Sequence, residues 1–237
     1  ERLPKFVIEF QVVRPDTIRV RTTLDPDLTN TPFDNVFVGT PDEVPPFSVA
    51  ETDNEIRLRT DALELVVRRR TWARRGVEAD LNIVSYCVRN ADGRTVLEET
   101  IDEKSIYFGY FAPPLGRADI DGNQWTVQSF LRHDDEDFYG FGEQFTDFSK
   151  RSREVHIWNA DAGNCMGYLS YKNIPFFIST RGYAIMLASP VQAVFDMGSK
   201  TAAAWTLKVR GPRLDYVVTV GDTPKHLLRT YFDLTGA

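Results

Sequence analysis

The fold is decided by the stretch Phe138-Tyr139-Gly140-Phe141-Gly142-Glu143, which opens the segment 138–187. The segment continues through His156-Ile157-Trp158-Asn159-Ala160-Asp161 and closes on Tyr171-Lys172-Asn173-Ile174-Pro175-Phe176. Two apolar, strand-like pieces therefore flank a polar loop that contains glycine and has an aromatic residue at its rim. A β-scaffold holds out a ligand-binding loop in this way. We predict that the rest of the chain is the body that carries this loop.

The sequence on both sides of this segment has the pattern of short strands. Residues 17–22 alternate apolar and polar side chains, which is typical of a strand with one solvent-facing side. Asn90-Ala91-Asp92-Gly93 contains the Asp-Gly pair of a tight hairpin turn. About fifteen short strands punctuated by glycines predict an all-β sandwich. The other predicted strands are 6–12, 47–51, 55–60, 63–68, 83–88, 94–97, 106–111, 124–131, 184–188, 192–196, 203–209 and 214–220.

The end of the chain changes from the strand pattern to a helical one. Thr223 is a good N-cap residue, and Pro224 suits the first helical position. The apolar side chains that follow recur at helical spacing, as Leu227, Leu228, Tyr231 and Leu234. We therefore expect a short C-terminal helix, which either docks on the sandwich or leads into another domain.

Composition excludes several classes of partner. Among the 237 residues, 34 Asp and Glu outnumber 28 Lys and Arg, giving a net charge of -6, so a nucleic-acid partner is not expected. No apolar run is long enough to span a bilayer, so we expect no membrane partner. Two cysteines, Cys87 and Cys165, are too few for a disulfide framework and weakly favour a cytoplasmic location. The chain begins at Glu1 without a signal peptide, so we expect a processed product or an excised piece.

The sequence predicts neither a metal site nor a cofactor. His133, His156 and His226 are widely spaced, and no pair has the offset of metal ligands. The acidic run 119–123 resembles part of a calcium loop but lacks the later ligands and the terminal Glu.

Several motifs of the central segment and the tail occur in the order found in one known family. Besides the stretches quoted above, they are Arg181-Gly182-Tyr183, Gly221-Asp222-Thr223-Pro224-Lys225 and Leu234-Thr235-Gly236. Together they resemble the N-terminal, galactose-mutarotase-like domain of glycoside hydrolase family 31. The form of the 171–176 motif is similar to the α-xylosidase branch more than to the animal maltases.

The resemblance implies a fold and an activity for the longer protein. Residues 1–222 would form a β-supersandwich, and 223–237 a helical linker toward a catalytic (β/α)8 barrel that the chain lacks. Enzymes of this family are retaining α-glycosidases whose two catalytic Asp residues belong to the barrel. The resemblance therefore implies no catalytic residue here and no hydrolysis of α-xylosides or α-glucosides by this chain alone.

The resemblance also implies a role for the central loop. In the family, the loop corresponding to 159–171 reaches over the barrel mouth and shapes the sugar site. Asp161 would accept hydrogen bonds from sugar hydroxyls, a role that suits a carboxylate. The other residues assigned to substrate binding are Trp158, as a support from the core, Asn159 and Cys165. Lys172 and Asn173 would tie the loop to the sandwich, and Glu143 would be a structural hydrogen-bond acceptor.

Alternatives stay open at this stage. Asp161 also suits a simple turn, because Asp-Ala-Gly is a turn sequence. A stand-alone aldose 1-epimerase would need a general acid and base, for which Glu143 with His133 or His156 are the candidates. A free carbohydrate-binding module would need an exposed row of aromatic residues. The resemblance to the family domain is also compatible with a homo-oligomer.

Overall fold

The computed structural model describes residues 6–23, 36–38, 43–72, 81–100, 114–163 and 168–236. Within these ranges the chain forms three antiparallel sheets and one C-terminal α-helix. The predicted strand at 106–111 and Cys165 lie outside the described residues.

The first sheet has six strands and includes the two strand-like pieces that flank the central loop. It joins the N-terminal hairpin to the last strand of the chain. In spatial order its strands are β1 (Val7–Arg14), β2 (Thr17–Thr23), β16 (Arg213–Val220), β13 (Tyr183–Leu187), β12 (Asn173–Ser179) and β10 (Phe138–Gly142). The edge strand β10 therefore lies beside β12, and the loop between them emerges at the edge of this sheet.

The other two sheets have five strands each. In spatial order the second consists of β11 (Glu154–Ile157), β14 (Ala193–Asp196), β15 (Ala204–Arg210), β9 (Asn123–Leu131) and β8 (Leu115–Ile120). The third is a meander of β3 (Ser48–Glu51), β4 (Glu55–Arg59), β5 (Leu63–Trp72), β6 (Leu81–Asn90) and β7 (Thr95–Glu98).

One main apolar core lies between the sheets and draws side chains from all three. Tyr86 from β6, Phe130 from β9 and Tyr216 from β16 are buried in it. The rings of Phe130 and Trp205 stack with their centroids 4.4 Å apart. Much of the aromatic content of the chain is therefore in the core. Each buried ring removes a large apolar area from water.

The helix α1 (Pro224–Thr235) covers the outer face of the first sheet. Its start is as predicted: the Thr223 side chain accepts a hydrogen bond from the His226 N–H at 3.2 Å, and Pro224 is the first helical residue. Leu227 and Leu234 are buried against Met186 and its neighbours. Strand β13 is therefore buried on both faces, by the main core on one side and by the helix on the other.

The predicted fold class, an all-β sandwich with a short C-terminal helix, is confirmed. The strand β8 was missed, because Pro113-Pro114 and the acidic run 119–123 suggested a loop. Asp121 and Gly122 instead form the tight turn of the β8–β9 hairpin, with φ of 51° and 73°. None of the helices in the described ranges is long and apolar enough to cross a membrane.

Candidate functional site

The loop that follows β10 begins at a backbone site that only glycine can occupy without strain. Gly140, Phe141 and Gly142 have successive φ values of 135°, 71° and 77°. A Cβ on Gly142 would lie 2.2 Å from the carbonyl oxygen of Lys172. Phe141 holds its unfavourable conformation because its buried ring packs on Phe177, with ring centroids 5.2 Å apart. The glycines thus let the chain leave the sheet beside β12.

Two parts of the loop run side by side where it leaves the sheet: residues 159–163, the first arm, and residues 168–172, the second arm. Asparagine side chains join these arms to the sheet. The Ala160 N–H donates to the Ser170 carbonyl at 3.0 Å. The Asn159 Oδ1 accepts from the backbone N–H of Asn173 at 2.7 Å and from its side-chain amide at 3.1 Å. The Gln144 amide donates in turn to the Asn173 Oδ1 at 2.6 Å. The Asn159 side-chain oxygen is therefore occupied by two hydrogen bonds within the loop.

Lys172 and Glu143 form a second connection across the loop base. The Lys172 ammonium donates to the Glu143 carboxylate at 3.0 Å, and the Glu143 N–H donates to the Lys172 carbonyl at 3.0 Å. The predictions that Glu143 is a structural acceptor and that Lys172 and Asn173 tie down the loop are confirmed by these contacts. The ion pair is exposed, so its contribution to stability is small.

Asp161 lies on the first arm with its carboxylate exposed. Its Oδ1 accepts from the Gly163 N–H at 3.0 Å and from the Tyr171 hydroxyl at 2.9 Å. These two donors, the Gly163 N–H foremost, lower the pKa of Asp161, so the carboxyl is ionised at neutral pH. The result is a fixed negative charge at the surface of the loop.

Three aromatic side chains in and next to the same loop are exposed, and one of them, Tyr171, contacts this carboxylate. Trp158 is 54% exposed, and Tyr168 and Tyr171 are also exposed. The Tyr168 ring packs on the His156 ring, with centroids 4.3 Å apart. An exposed carboxylate can accept hydrogen bonds from hydroxyl groups, and exposed aromatic rings on the same loop can cover apolar C–H faces, which is the chemistry of a sugar site.

The expectation that Trp158 supports the loop from the core is wrong. Val155 and Ile157 on β11 are buried, and His156 between them is turned outward. Alternation along the strand places Trp158 on the side of His156, so its indole is at the surface. Cys165, which the resemblance implied as a substrate-binding residue, lies outside the described residues.

Among the described residues, neither His133 nor His156 is hydrogen-bonded to Glu143, as the acid–base pairs considered for an epimerase would require. His156 has its Nε2 3.0 Å from the Glu154 carboxylate, while Glu143 is paired with Lys172. The main-chain N–H of His133 donates to Glu136 at 3.1 Å. Within the described ranges, no three His, Cys, Asp or Glu side chains lie close enough together to hold a metal ion.

Tyr171 is the residue of the candidate site whose contact with Asp161 the sequence did not reveal. It belongs to the quoted motif, but nothing in the spacing indicated that its hydroxyl reaches Asp161 ten residues earlier. The contact follows from the pairing of the two arms, because the parallel bridge between Asn159 and Ser170 brings residue 171 beside residue 161.

Comparison with known proteins agrees with the fold and the motifs. The family described as "Glycosyl hydrolase 31 N-terminal galactose mutarotase-like domain" matches residues 7–196. The chain belongs to this family of β-sandwich domains.

Individual relatives are glycosidases much longer than the matched region. Alpha-xylosidase XylQ of Lactiplantibacillus pentosus is 41% identical over 103 residues, which are 44% of this chain and 13% of that protein. Alpha-glucosidase 2 of Bacillus thermoamyloliquefaciens is 28% identical over 196 residues, which are 80% of this chain and 21% of that protein. The crystal structure of a GH31 alpha-xylosidase from a soil metagenome, complexed with xylose, superposes with a TM-score of 0.75 at 20% identity, covering 100% of this chain and 33% of that one.

Proposed function

We propose that this chain is the non-catalytic N-terminal domain of a retaining α-glycosidase acting on α-xylosides or α-glucosides. In this proposal the domain packs against a catalytic (β/α)8 barrel, toward which the segment 223–237 leads, and its central loop completes the sugar site. The observation that carries the proposal is the ionised, exposed carboxylate of Asp161 on a loop anchored to the sheet. Membership of the family and the greater length of its relatives support a partner barrel.

The surface around the loop supports a docking role as well. Large apolar side chains are exposed in and next to the loop, among them Phe145, Phe148, Leu169 and Ile174. Phe148 is 82% exposed. Exposed apolar side chains concentrated in one segment are typical of a surface that another domain covers. We assign these side chains to the barrel contact and the Asp161 carboxylate to the sugar.

The proposal is tested by kinetics of the longer protein that contains this chain. Asp161→Ala should lower kcat/KM for p-nitrophenyl α-xyloside or α-glucoside by roughly 10- to 150-fold, the loss expected for one hydrogen bond to a charged group. Asp53→Ala is the matched control, because Asp53 is an exposed aspartate in the turn between β3 and β4. Wild-type kinetics of Asp161→Ala would refute the sugar contact.

The same substrates test the non-catalytic role. The 237-residue chain alone should show no hydrolysis, while the longer protein should be active. Hydrolysis by the chain alone would mean that the chemistry is carried by the sandwich. Retardation of the chain alone in a glycan-loaded gel would instead favour a free carbohydrate-binding module.

A further inference from the structure

The two oxygens of the Asp161 carboxylate have different surroundings. Both donors that reach it, the Gly163 N–H and the Tyr171 hydroxyl, bind the same atom, Oδ1. Among the described residues, none donates to Oδ2. A carboxylate has lone pairs on both oxygens, and no described residue occupies those of Oδ2.

The two donors come from different parts of the loop. Gly163 is two residues from Asp161 on the same arm, so its contact is a local turn. Tyr171 comes from the opposite arm, which the hydrogen bond from Ala160 to Ser170 holds in place. Asn173, two residues after Tyr171, is hydrogen-bonded to Asn159, two residues before Asp161. The backbone next to the Tyr171–Asp161 bond is therefore held in both arms. The hydroxyl therefore determines which way the carboxylate faces.

We propose that Tyr171 is a positioning residue that holds Oδ1 of Asp161, so that Oδ2 is presented to a sugar hydroxyl. This inference rests on the proposed sugar contact of Asp161. Without the Tyr171 hydroxyl, the Gly163 N–H remains as a single donor and the carboxylate turns about its side-chain bonds. Binding the sugar must then also freeze this rotation, which weakens the contact. Tyr171 acts through Asp161 and needs no contact of its own with the reacting atoms.

The test is a double-mutant cycle in the longer protein that contains this chain. Tyr171→Phe removes only the hydroxyl and should lower kcat/KM by about 3- to 12-fold, the cost of ordering one side chain on binding. The loss should come mainly from a higher KM, because the contact is made in the ground state as well as in the transition state. In the Asp161→Ala background, Tyr171→Phe should cause no further loss.

Tyr231→Phe is the matched control, since Tyr231 lies on α1 with its ring packed on Phe176, on the other face of the first sheet. It removes the same hydroxyl group and should leave kinetics unchanged. Thermal unfolding of each variant verifies that the fold is retained.

The possible results separate the two proposals. If Tyr171→Phe costs as much in the Asp161→Ala background as alone, Tyr171 acts independently and the positioning role is refuted. If Asp161→Ala is costly but Tyr171→Phe is silent, the positioning role fails while the sugar contact stands. If Asp161→Ala has wild-type kinetics, the sugar contact itself fails, and the positioning role fails with it.

Discussion

The Gln128 side-chain amide donates to the Glu99 carboxyl at 2.6 Å in the interior of the domain, where both residues are buried. The other Glu99 oxygen accepts from the Tyr86 N–H at 2.9 Å. The Tyr216 hydroxyl donates to the Gln128 oxygen at 2.8 Å and also contacts the Tyr86 hydroxyl. Because Tyr86, Gln128 and Tyr216 come from different sheets, this network joins all three.

Burial of Glu99 makes the stability of the domain depend on pH. Burial raises the pKa of Glu99 from 4.5 to about 8, against the opposing effects of the Gln128 and Tyr86 donors. The folded state therefore keeps a proton that the unfolded state has released, so this stabilisation is complete below pH 4.5 and is lost as the pH rises to about 8. The loss is at most roughly 5 kcal/mol.

Glu99→Gln should abolish most of this pH dependence, because an amide cannot ionise. A flip of the Gln128 amide, with rotation of the Tyr216 hydroxyl, keeps the hydrogen bonds of the network paired. Urea unfolding of the 237-residue chain at several pH values between 5 and 8 measures the effect. Glu98→Gln changes the half-buried neighbouring carboxylate, which lies 3.6 Å from Arg68, and should retain the wild-type slope. An unchanged slope in Glu99→Gln would contradict the prediction.

A second buried polar contact, between Arg19 and Asp215, ties β2 to β16. The guanidinium makes two parallel hydrogen bonds to the carboxylate, at 2.8 and 2.6 Å, and both side chains are almost completely buried. Arg19→Met leaves the carboxylate without this cation and should reduce the free energy of unfolding by about 3–5 kcal/mol. Chemical denaturation of the chain provides the measurement.

Two comparisons make the Arg19 prediction sharper. Replacing both partners by apolar residues, as in Arg19→Met with Asp215→Leu, should recover much of the loss, since neither buried charge is then left without the other. Arg69→Met breaks the exposed pair with Glu51 and should cost less than about 1 kcal/mol. Equal losses for Arg19→Met and Arg69→Met would show that burial does not control the effect.

The sequence predicted local features better than long-range ones. The helix start at Thr223 and Pro224 was predictable because capping depends on neighbouring residues. The second Asp-Gly pair, Asp121-Gly122, carried the same hairpin signal as Asp92-Gly93, but the prolines before it concealed the strand. The Glu99 network joins residues up to 130 positions apart, such as Tyr86 and Tyr216, and no local pattern encodes such a meeting.

The candidate site was predictable in the same uneven way. The motif that contains Asp161 suggested its sugar contact, which stays a prediction, while the prediction that Lys172 and Asn173 anchor the loop is confirmed. The exposure of Trp158 was not predicted, because a tryptophan in an apolar segment is more often buried. The partnership of Tyr171 with Asp161 depends on how the two arms pair, which their separate sequences do not specify.

The glycine at position 142 should be essential for the shape of the loop base. Gly142→Ala combines a φ of 77° with a Cβ 2.2 Å from a backbone oxygen. Gly122→Ala is a matched control with a φ of 73° and nothing within 4 Å of the added Cβ. The control should cost about 1–2 kcal/mol from backbone strain alone, and Gly142→Ala clearly more. Similar free energies of unfolding for the two variants would refute the steric argument.

Docking of the C-terminal helix should depend on its buried side chains alone. Leu227 is 1% exposed and Leu228 is 39% exposed, although the two are adjacent in the sequence. Leu227→Ala should reduce the free energy of unfolding by about 2–5 kcal/mol, because it opens a cavity between the helix and the first sheet. Leu228→Ala should stay within about 0.5 kcal/mol of the wild type in the isolated chain. Comparable losses in urea unfolding would mean that the helix presents a different face to the sheet. A loss from Leu228→Ala that appears only in the longer protein would instead place this outer face of the helix in a contact with the barrel.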